Sequence, residues 1–302
     1  MKRFFLLFNP TEVTVCVYSL FVGSAILVAS PKDSFDLALV AIHICLVLVI
    51  AGVAYLAKSK SGNPFFVQIR NWYPALMIPF FYRELSYVVP RVNPHDIDTW
   101  LIQLDFFIFG VHPTVWFERF TYPILTEILQ IAYSSYYFLP ILLGVALSRN
   151  DRRMTFIHVF FGTVLVILVS YVGYVFFPAV GPRFSLHHLQ TISLKGCFLT
   201  LAIRELLNDL ELITRDCFPS GHTMVTIVVT YYAWKYKRTL FYCFLPVTIL
   251  IVSSTVYLRY HYAVDIIAGV LLVAPILYFA NYCMKKWERA QREHHQYPDP
   301  SL

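Results

Sequence analysis

Charge is scarce in this 302-residue chain. Asp, Glu, Lys and Arg make up 14% of it, against about 25% in an average soluble domain. A water-facing surface for such a chain would run short of polar side chains. The deficit argues against one or two soluble domains and for an exterior that faces lipid. No C-x-x-C pair occurs among Cys16, Cys45, Cys197, Cys217, Cys243 and Cys283, so no zinc or redox motif is present. No basic stripe with interleaved aromatics stands out, and the net charge of +6 therefore implies no nucleic-acid partner. The N-terminal FFLLF is too short for the apolar region of a signal peptide, and no small-residue cleavage site follows it. Internal repeats and low-complexity tracts are lacking as well.

Apolar sequence is plentiful. Hydrophobic residues reach 58% and aromatics 17%, the latter suited to interfacial anchoring. A membrane-crossing helix needs roughly 20 apolar residues. Eight runs qualify approximately, at 13–29, 37–57, 73–89, 122–147, 156–177, 222–234, 240–257 and 262–282. The third is the weakest, because Arg83 and Glu84 interrupt it. These runs are far too long for barrel strands, so the expected fold is all-α, a polytopic membrane helix bundle of about eight transmembrane helices. Residues 90–120 read as an interfacial segment, aromatic but broken by Asp105, Gly110 and Pro113. Within the long loop after the fifth run, LAIRELLNDLELI has apolar residues at helical spacing and predicts a short amphipathic helix. Cys197 and Cys217 share that loop, where a disulfide and two free thiols are both open; the other four cysteines read as packing residues. The tail EHHQYPDPSL reads as disordered.

Lys and Arg set the expected orientation. With the N-terminus (Lys2, Arg3) in the cytoplasm, the connections carrying Lys58, Lys60 and Arg70, then Arg149, Arg152 and Arg153, then Lys235, Lys237 and Arg238, fall on the same side. So does the C-terminal tail with Lys285, Lys286, Arg289 and Arg292. Both termini are then cytoplasmic. Three chemically dense stretches face the opposite side, which would be periplasm, the extracellular space or an organelle lumen: FFPAVGPRF (176–184), DCFPSGHT (216–223) and TVYLRYHYAVD (255–265).

In DCFPSGHT, Ser220 is a good helix N-cap, Gly221 permits close backbone approach and His222 falls in the first turn. Free N–H groups at such a helix start suit phosphate. An ordinary cap with an interfacial histidine is the plainer alternative. His261 and Asp265 are four residues apart and share a helix face, so the carboxylate can orient the imidazole and leave one nitrogen free to attack; a metal site or helix-end cap is the other reading. Arg183 offers a guanidinium that matches phosphate oxygens, or lipid headgroups generally. Together they make a set for phosphoryl transfer.

These stretches resemble the three motifs of the type-2 phosphatidic acid phosphatase superfamily, over about residues 73–282. PSGH (219–222) is the most specific, His261-x-x-x-Asp265 followed by Gly269 fits the third motif, and Arg183 fits the arginine of the first. The resemblance implies a six-helix catalytic core at 61–284, two additional N-terminal transmembrane helices at 1–60 and a polar cytoplasmic tail at 285–302. It implies His261 as nucleophile forming a phosphohistidine, Asp265 as its orienting carboxylate and His222 as general acid. Arg183, Ser220 and the Gly221 amide would bind the phosphoryl group, with no metal and no cofactor required. Phe176 stands where the family's first motif has Lys, Phe184 where it has Pro, and Thr255 where the third has Arg. Arg259 is the candidate to replace the missing charge. With these departures, YLRYHYAVDIIAG looks closest to the inositol phosphorylceramide synthase and sphingomyelin synthase branch, which moves headgroups between lipids. The expected activity is a lipid phosphatase or phosphotransferase with a membrane lipid as substrate and the bilayer as partner. The substrate lipid and the oligomeric state are not legible.

Readings of other classes are a transporter, a non-catalytic lipid-binding membrane protein and a vanadium-dependent haloperoxidase. A transporter would place its ionisable residues near the midplane rather than at one interface, and haloperoxidases are not expected to span membranes repeatedly. His43 and His158 read as packing or polar-contact residues, and Glu127 as needing a structural hydrogen bond. Asp105 and His112 are surface polarity or headgroup contacts, and His187, His188, His294 and His295 belong to loop and tail.

Overall fold

The computed structural model describes residues 7–29, 33–59, 63–148, 153–211 and 213–296. The sequence-expected inside residues Lys2, Arg3, Lys60, Arg149 and Arg152 lie outside them, as do residues 297–302. The fold is all-α, and no strand occurs among the described residues. The longer helices are α1 (Pro10–Val28), α2 (Ser34–Ser59), α3 (Pro64–Val92), α4 (Asp98–Phe109), α5 (Pro123–Ser135), α6 (Phe138–Ser148), α7 (Arg153–Phe176), α8 (Thr200–Glu211), α9 (Gly221–Tyr236), α10 (Arg238–Tyr257) and α11 (Ala263–Gln296). Single turns lie at Pro113–Trp116, Phe117–Phe120, Pro182–Ser185 and His187–Leu189.

Five of these, α1, α2, α7, α10 and the Ala263–Glu293 part of α11, are long and apolar enough to cross a membrane, and α5 with α6 makes a sixth when taken as one bent span. The fourth expected run is therefore broken, with a 45° bend between its halves. Pro140 explains it: proline has no N–H to donate to the carbonyl of residue 136, and its ring clashes there. The other two expected runs are helical but weaker as spans. α3 carries Arg70, Arg83, Glu84 and Arg91, and α9, at 16 residues, is about 24 Å long against about 30 Å of hydrocarbon. Both pack into the bundle all the same. α7 is its axis, 72% buried over its apolar window and in contact with α1, α3, α6, α9 and α11.

Contacts sort the helix ends into two layers. In one, Arg70 pairs with Glu12, Trp287 Nε1 donates to the Phe8 carbonyl and Tyr236 meets His158. In the other, Asn93 donates to the Phe176 carbonyl and Tyr82 to Asp216, and all three chemically dense stretches lie there. The tail expectation is corrected in part: α11 runs helical through Gln296, because the sequence beyond the apolar run continues in good helix formers, with Arg289 and Glu293 paired at i, i+4.

Candidate active site

Three backbone hydrogen bonds sew the dense stretches together. The Arg183 N–H donates to the Arg259 carbonyl, the Cys217 N–H to the Ala179 carbonyl and the Ser220 N–H to the Asp265 carbonyl. Local sequence explains each segment. Ser220 caps α9, its hydroxyl accepting from the Thr223 N–H, as its side-chain chemistry predicts. A Cβ added at Gly221 would collide with the Tyr174 hydroxyl, so only glycine fits. Gly181 sits at φ +85°, where a Cβ would lie 2.8 Å from the Tyr260 carbonyl. That conformation turns the chain so that Arg183 comes to the site. Between α10 and α11, the N–H groups of Tyr260 and His261 both donate to the Thr255 carbonyl.

His261 is buried, with Nδ1 2.7 Å from the Cys217 carbonyl. A carbonyl only accepts, so the proton sits on Nδ1 and the Nε2 lone pair is free. Asp265 Oδ2 is farther from Nδ1, at 3.4 Å. It also accepts from the Cys217 thiol at 2.9 Å and the Tyr262 N–H at 2.8 Å. The His222 and His261 rings meet edge-on, centroids 5.7 Å apart. Tyr133 and Tyr136 each hold the His222 ring at 4.4 Å, and among the described residues no protein group hydrogen-bonds its Nε2.

Two cavities meet here. One, of about 330 Å³, is lined by Arg183, His261, Asn208, Thr214, Asp216 and Tyr260 among others. Arg183 Nη1 donates to Asn208 Oδ1 at its edge. The second, of about 430 Å³, runs along α7 from Tyr174 to Phe156 and is mostly aromatic and aliphatic, with His222, Gly221 and Asp216 at its polar end. Asp216 borders both. Burial pushes its carboxyl up from the usual range, against the hydrogen bond from Tyr82. Burial also pushes the Cys217 thiol up, and the Asp265 carboxylate adds to the shift.

Of the expected site residues, Arg183, His222, His261 and Asp265 converge, with Ser220 and Gly221 forming the helix start beneath them. Arg259 turns elsewhere. Its guanidinium donates to Glu118, Gln190 and the Ile192 carbonyl, and it is absent from the lining of both cavities among the described residues. The positions of the family's two missing cations put no charge here either: Phe176 packs on Phe21, and the Thr255 hydroxyl bonds its own helix at Val252. The disulfide considered between Cys197 and Cys217 is not formed; both are free, the first exposed and the second buried. Cys217 Sγ, His261 Nδ1 and an Asp265 carboxylate oxygen lie within 4.8 Å of one another, a set that could hold a metal ion. Each of the three already makes protein hydrogen bonds. His43 and His158 make polar contacts as expected, with Glu84 and Tyr236, and Glu127 accepts from the N–H groups of Cys197, Leu199 and Thr200. Asp105, read as surface polarity or a headgroup contact, is buried instead. The sequence reading gives no role at the site to Cys217, Asp216, Tyr133 or Asn208, although Cys217 and Asp216 belong to the stretch DCFPSGHT. The only available signal for Cys217 and Asp216 was their adjacency to PSGH.

The family model of the PAP2 superfamily matches residues 99–279, more than half of the chain, and the chain belongs to that superfamily. The matched stretch includes Arg183, the PSGH turn, His261 and Asp265. A PA-phosphatase related-family protein of Dictyostelium discoideum is 25% identical over 185 residues, which cover 55% of this chain and 34% of the relative. The chain thus spans about a third of that relative's length. No solved structure matches.

Proposed function

We propose that this chain is an integral membrane enzyme that transfers a phosphoryl-bearing group from a lipid through a phosphohistidine at His261. The free Nε2 of His261 attacks phosphorus, and the bond to the leaving oxygen breaks as His222 gives that oxygen a proton. Arg183 holds the phosphoryl oxygens, with the Ser220–Gly221 helix start behind them. Asp265 and the Cys217 carbonyl stabilise the positive charge that His261 gains. In the second half, His222 takes a proton from water or a lipid hydroxyl, and that oxygen attacks the phosphohistidine and restores His261. General acid–base help of this kind contributes about 10²–10⁴-fold.

The observation that carries the reading is His261, its Nδ1 proton held by a carbonyl, sharing one cavity with Arg183 and meeting His222 edge-on at the polar end of the adjoining cavity. The adjoining apolar cavity supports a lipid as substrate. Headgroup transfer of the inositol phosphorylceramide or sphingomyelin synthase type is favoured over simple monoester hydrolysis by one feature. Among the described residues, Arg183 is the single cation lining the His261 cavity, and a diester carries less charge than a monoester. The catalytic unit is then 61–284, with 1–60 as two added membrane helices. The site faces away from the cytoplasm, since the Lys- and Arg-rich helix ends form the opposite layer.

The test uses the full chain in lipid nanodiscs with a panel of phospholipids and lipid phosphates, read by mass spectrometry for free phosphate, released headgroup and new lipid. A headgroup-bearing product lipid, lost in His261→Ala and His222→Ala, is expected. Free phosphate alone would make the protein a phosphatase. Turnover unchanged in both variants, or no product from any lipid, would overturn the catalytic reading.

A further inference from the structure

α4 carries two carboxylates, Asp98 and Asp105, seven residues apart. Seven residues are within about 20° of two full helical turns, so both project from one face. That face points inward, with Asp98 7% and Asp105 2% exposed. The opposite face is apolar and open, with Trp100 75% and Phe107 85% exposed.

Neither carboxylate forms a salt bridge among the described residues, though Arg215 lies near enough to act on Asp98 electrostatically; each grips backbone. Asp98 accepts from the N–H groups of Val180 and Gly181, both at 2.9 Å, and from the Tyr262 hydroxyl at 2.7 Å. Asp105 accepts from the N–H groups of Ala263 and Val264, at 3.1 and 2.9 Å. The first grip lies two residues before Arg183, at the left-handed turn that aims it. The second holds the first turn of α11, between His261 and Asp265. A single rigid helix thus holds both sides of the reaction centre, one carboxylate on the segment that binds the phosphoryl group and the other on the segment that carries the nucleophile. Tyr262 ties the two, since its hydroxyl reaches Asp98 while its backbone N–H reaches Asp265. Buried carboxylates are costly unless fully hydrogen-bonded. Charge-assisted bonds to backbone donors offset that cost and tolerate little displacement.

We propose that Asp98 and Asp105 are positioning residues that set the distance between Arg183 and His261, with α4 as the bracket between them. This rests on the proposed phosphohistidine chemistry. Its structural half is tested separately from that chemistry.

Asp98→Asn and Asp105→Asn keep shape but replace one acceptor with a donor facing an N–H. Amide exchange in nanodisc-embedded protein should accelerate in peptides covering 180–183 for the first and 263–265 for the second, whatever the chemistry. Affinity for inorganic phosphate should weaken about 10-fold in Asp98→Asn, through Arg183. Asp105→Asn should keep its phosphate affinity and form phosphohistidine about 10-fold more slowly. Glu12→Gln, which disturbs a buried carboxylate in the opposite layer, should lower thermal stability without either effect. If an asparagine variant does not accumulate, Tyr262→Phe removes one donor to Asp98 and should give a smaller shift of the same kind. Exchange that rises evenly along the chain, or rate losses no larger than those of Glu12→Gln at equal thermal loss, would overturn the bracket. Local exchange changes in a protein that turns over no lipid would leave the bracket standing and remove the catalytic reading.

Discussion

The two layers of helix ends differ in what most of their buried carboxylates hold. In the layer of Glu12, a side-chain pair joins two helices: Arg70 Nε lies 2.7 Å from Glu12, itself fully buried, which also accepts from the Asn9 N–H in its own cap. Within the bundle, His43 lies 3.2 Å from Glu84 in the same manner. In the site layer, four carboxylates hold backbone N–H groups, although Glu118 also pairs with Arg259 and the buried Asp36 pairs with Arg91. Asp98 and Asp105 hold the segments described above, Glu118 accepts from Thr191 and Ile192, and Glu127 from residues 197–200. All four lie within residues 98–127. A side-chain pair joins two helices and leaves their backbones to themselves. A carboxylate on N–H groups dictates where a loop runs, and loops that carry catalytic groups need that. The difference suggests that one layer is built for cohesion and the other for geometry.

The sharpest way to break this comparison is at the reacting groups. His261→Ala should abolish phosphohistidine labelling and turnover, and His222→Ala should cost about 10²–10⁴-fold in rate, while neither changes thermal stability much. Arg70→Ala should do the reverse. It leaves Glu12 buried without its cation, a loss of about 3–5 kcal/mol, readable as a lowered melting temperature with the rate per folded molecule intact. A rate loss in Arg70→Ala at permissive temperature would show the layers to be coupled. Gly221→Ala belongs to both categories, since the added Cβ meets the Tyr174 hydroxyl. A destabilisation of about 1–3 kcal/mol with a parallel fall in rate is expected, and unchanged kinetics would mean that α9 can shift at no cost to catalysis.

The smallest expected effect is a pH slope. Burial raises the Asp105 carboxyl from 3.8 to about 6, against the hydrogen bonds from Val264 and Ala263. Its folded-state value lies above its unfolded one, so folding takes up a proton between them. The stability it contributes is present in full below about pH 4 and is lost as the pH rises through 6. Asp105→Asn should flatten the stability curve between pH 4 and 6 and leave it unaltered from 7 to 8. An unchanged slope would show that Asp105 does not set that window.

Much of this protein is legible in one dimension. Long apolar runs require helices, because backbone polar groups in lipid must be satisfied within the segment. PSGH, His261, Asp265 and Arg183 announce themselves because a helix start and a His–Asp spacing are local devices, although His261 precedes α11, which begins at Ala263, so the pair does not share a helix face as its spacing predicts. Ser220 capping α9 needed no distant information. The apolar runs are legible together with the weakness of α3, whose charges are a local feature, whereas the bend before Pro140 is not, and the fourth run reads as one span.

Only the tertiary structure decided the rest. Arg259, placed by sequence beside His261, is drawn to Glu118, 141 positions away, because a buried carboxylate in the Phe117–Phe120 turn outcompetes an empty cavity for its guanidinium. Asp98 and Asp105 look like the polar residues of an interfacial helix. Their role comes from which backbone N–H groups lie opposite, at separations of 82 and 158 residues. The Nδ1 proton of His261 is held first by a carbonyl rather than by Asp265, since the loop at Cys217 folds over the imidazole. Periodicity and caps report what a segment does to itself. The partner of a buried charge is set by which segments the bundle brings together, and no spacing along the chain encodes that.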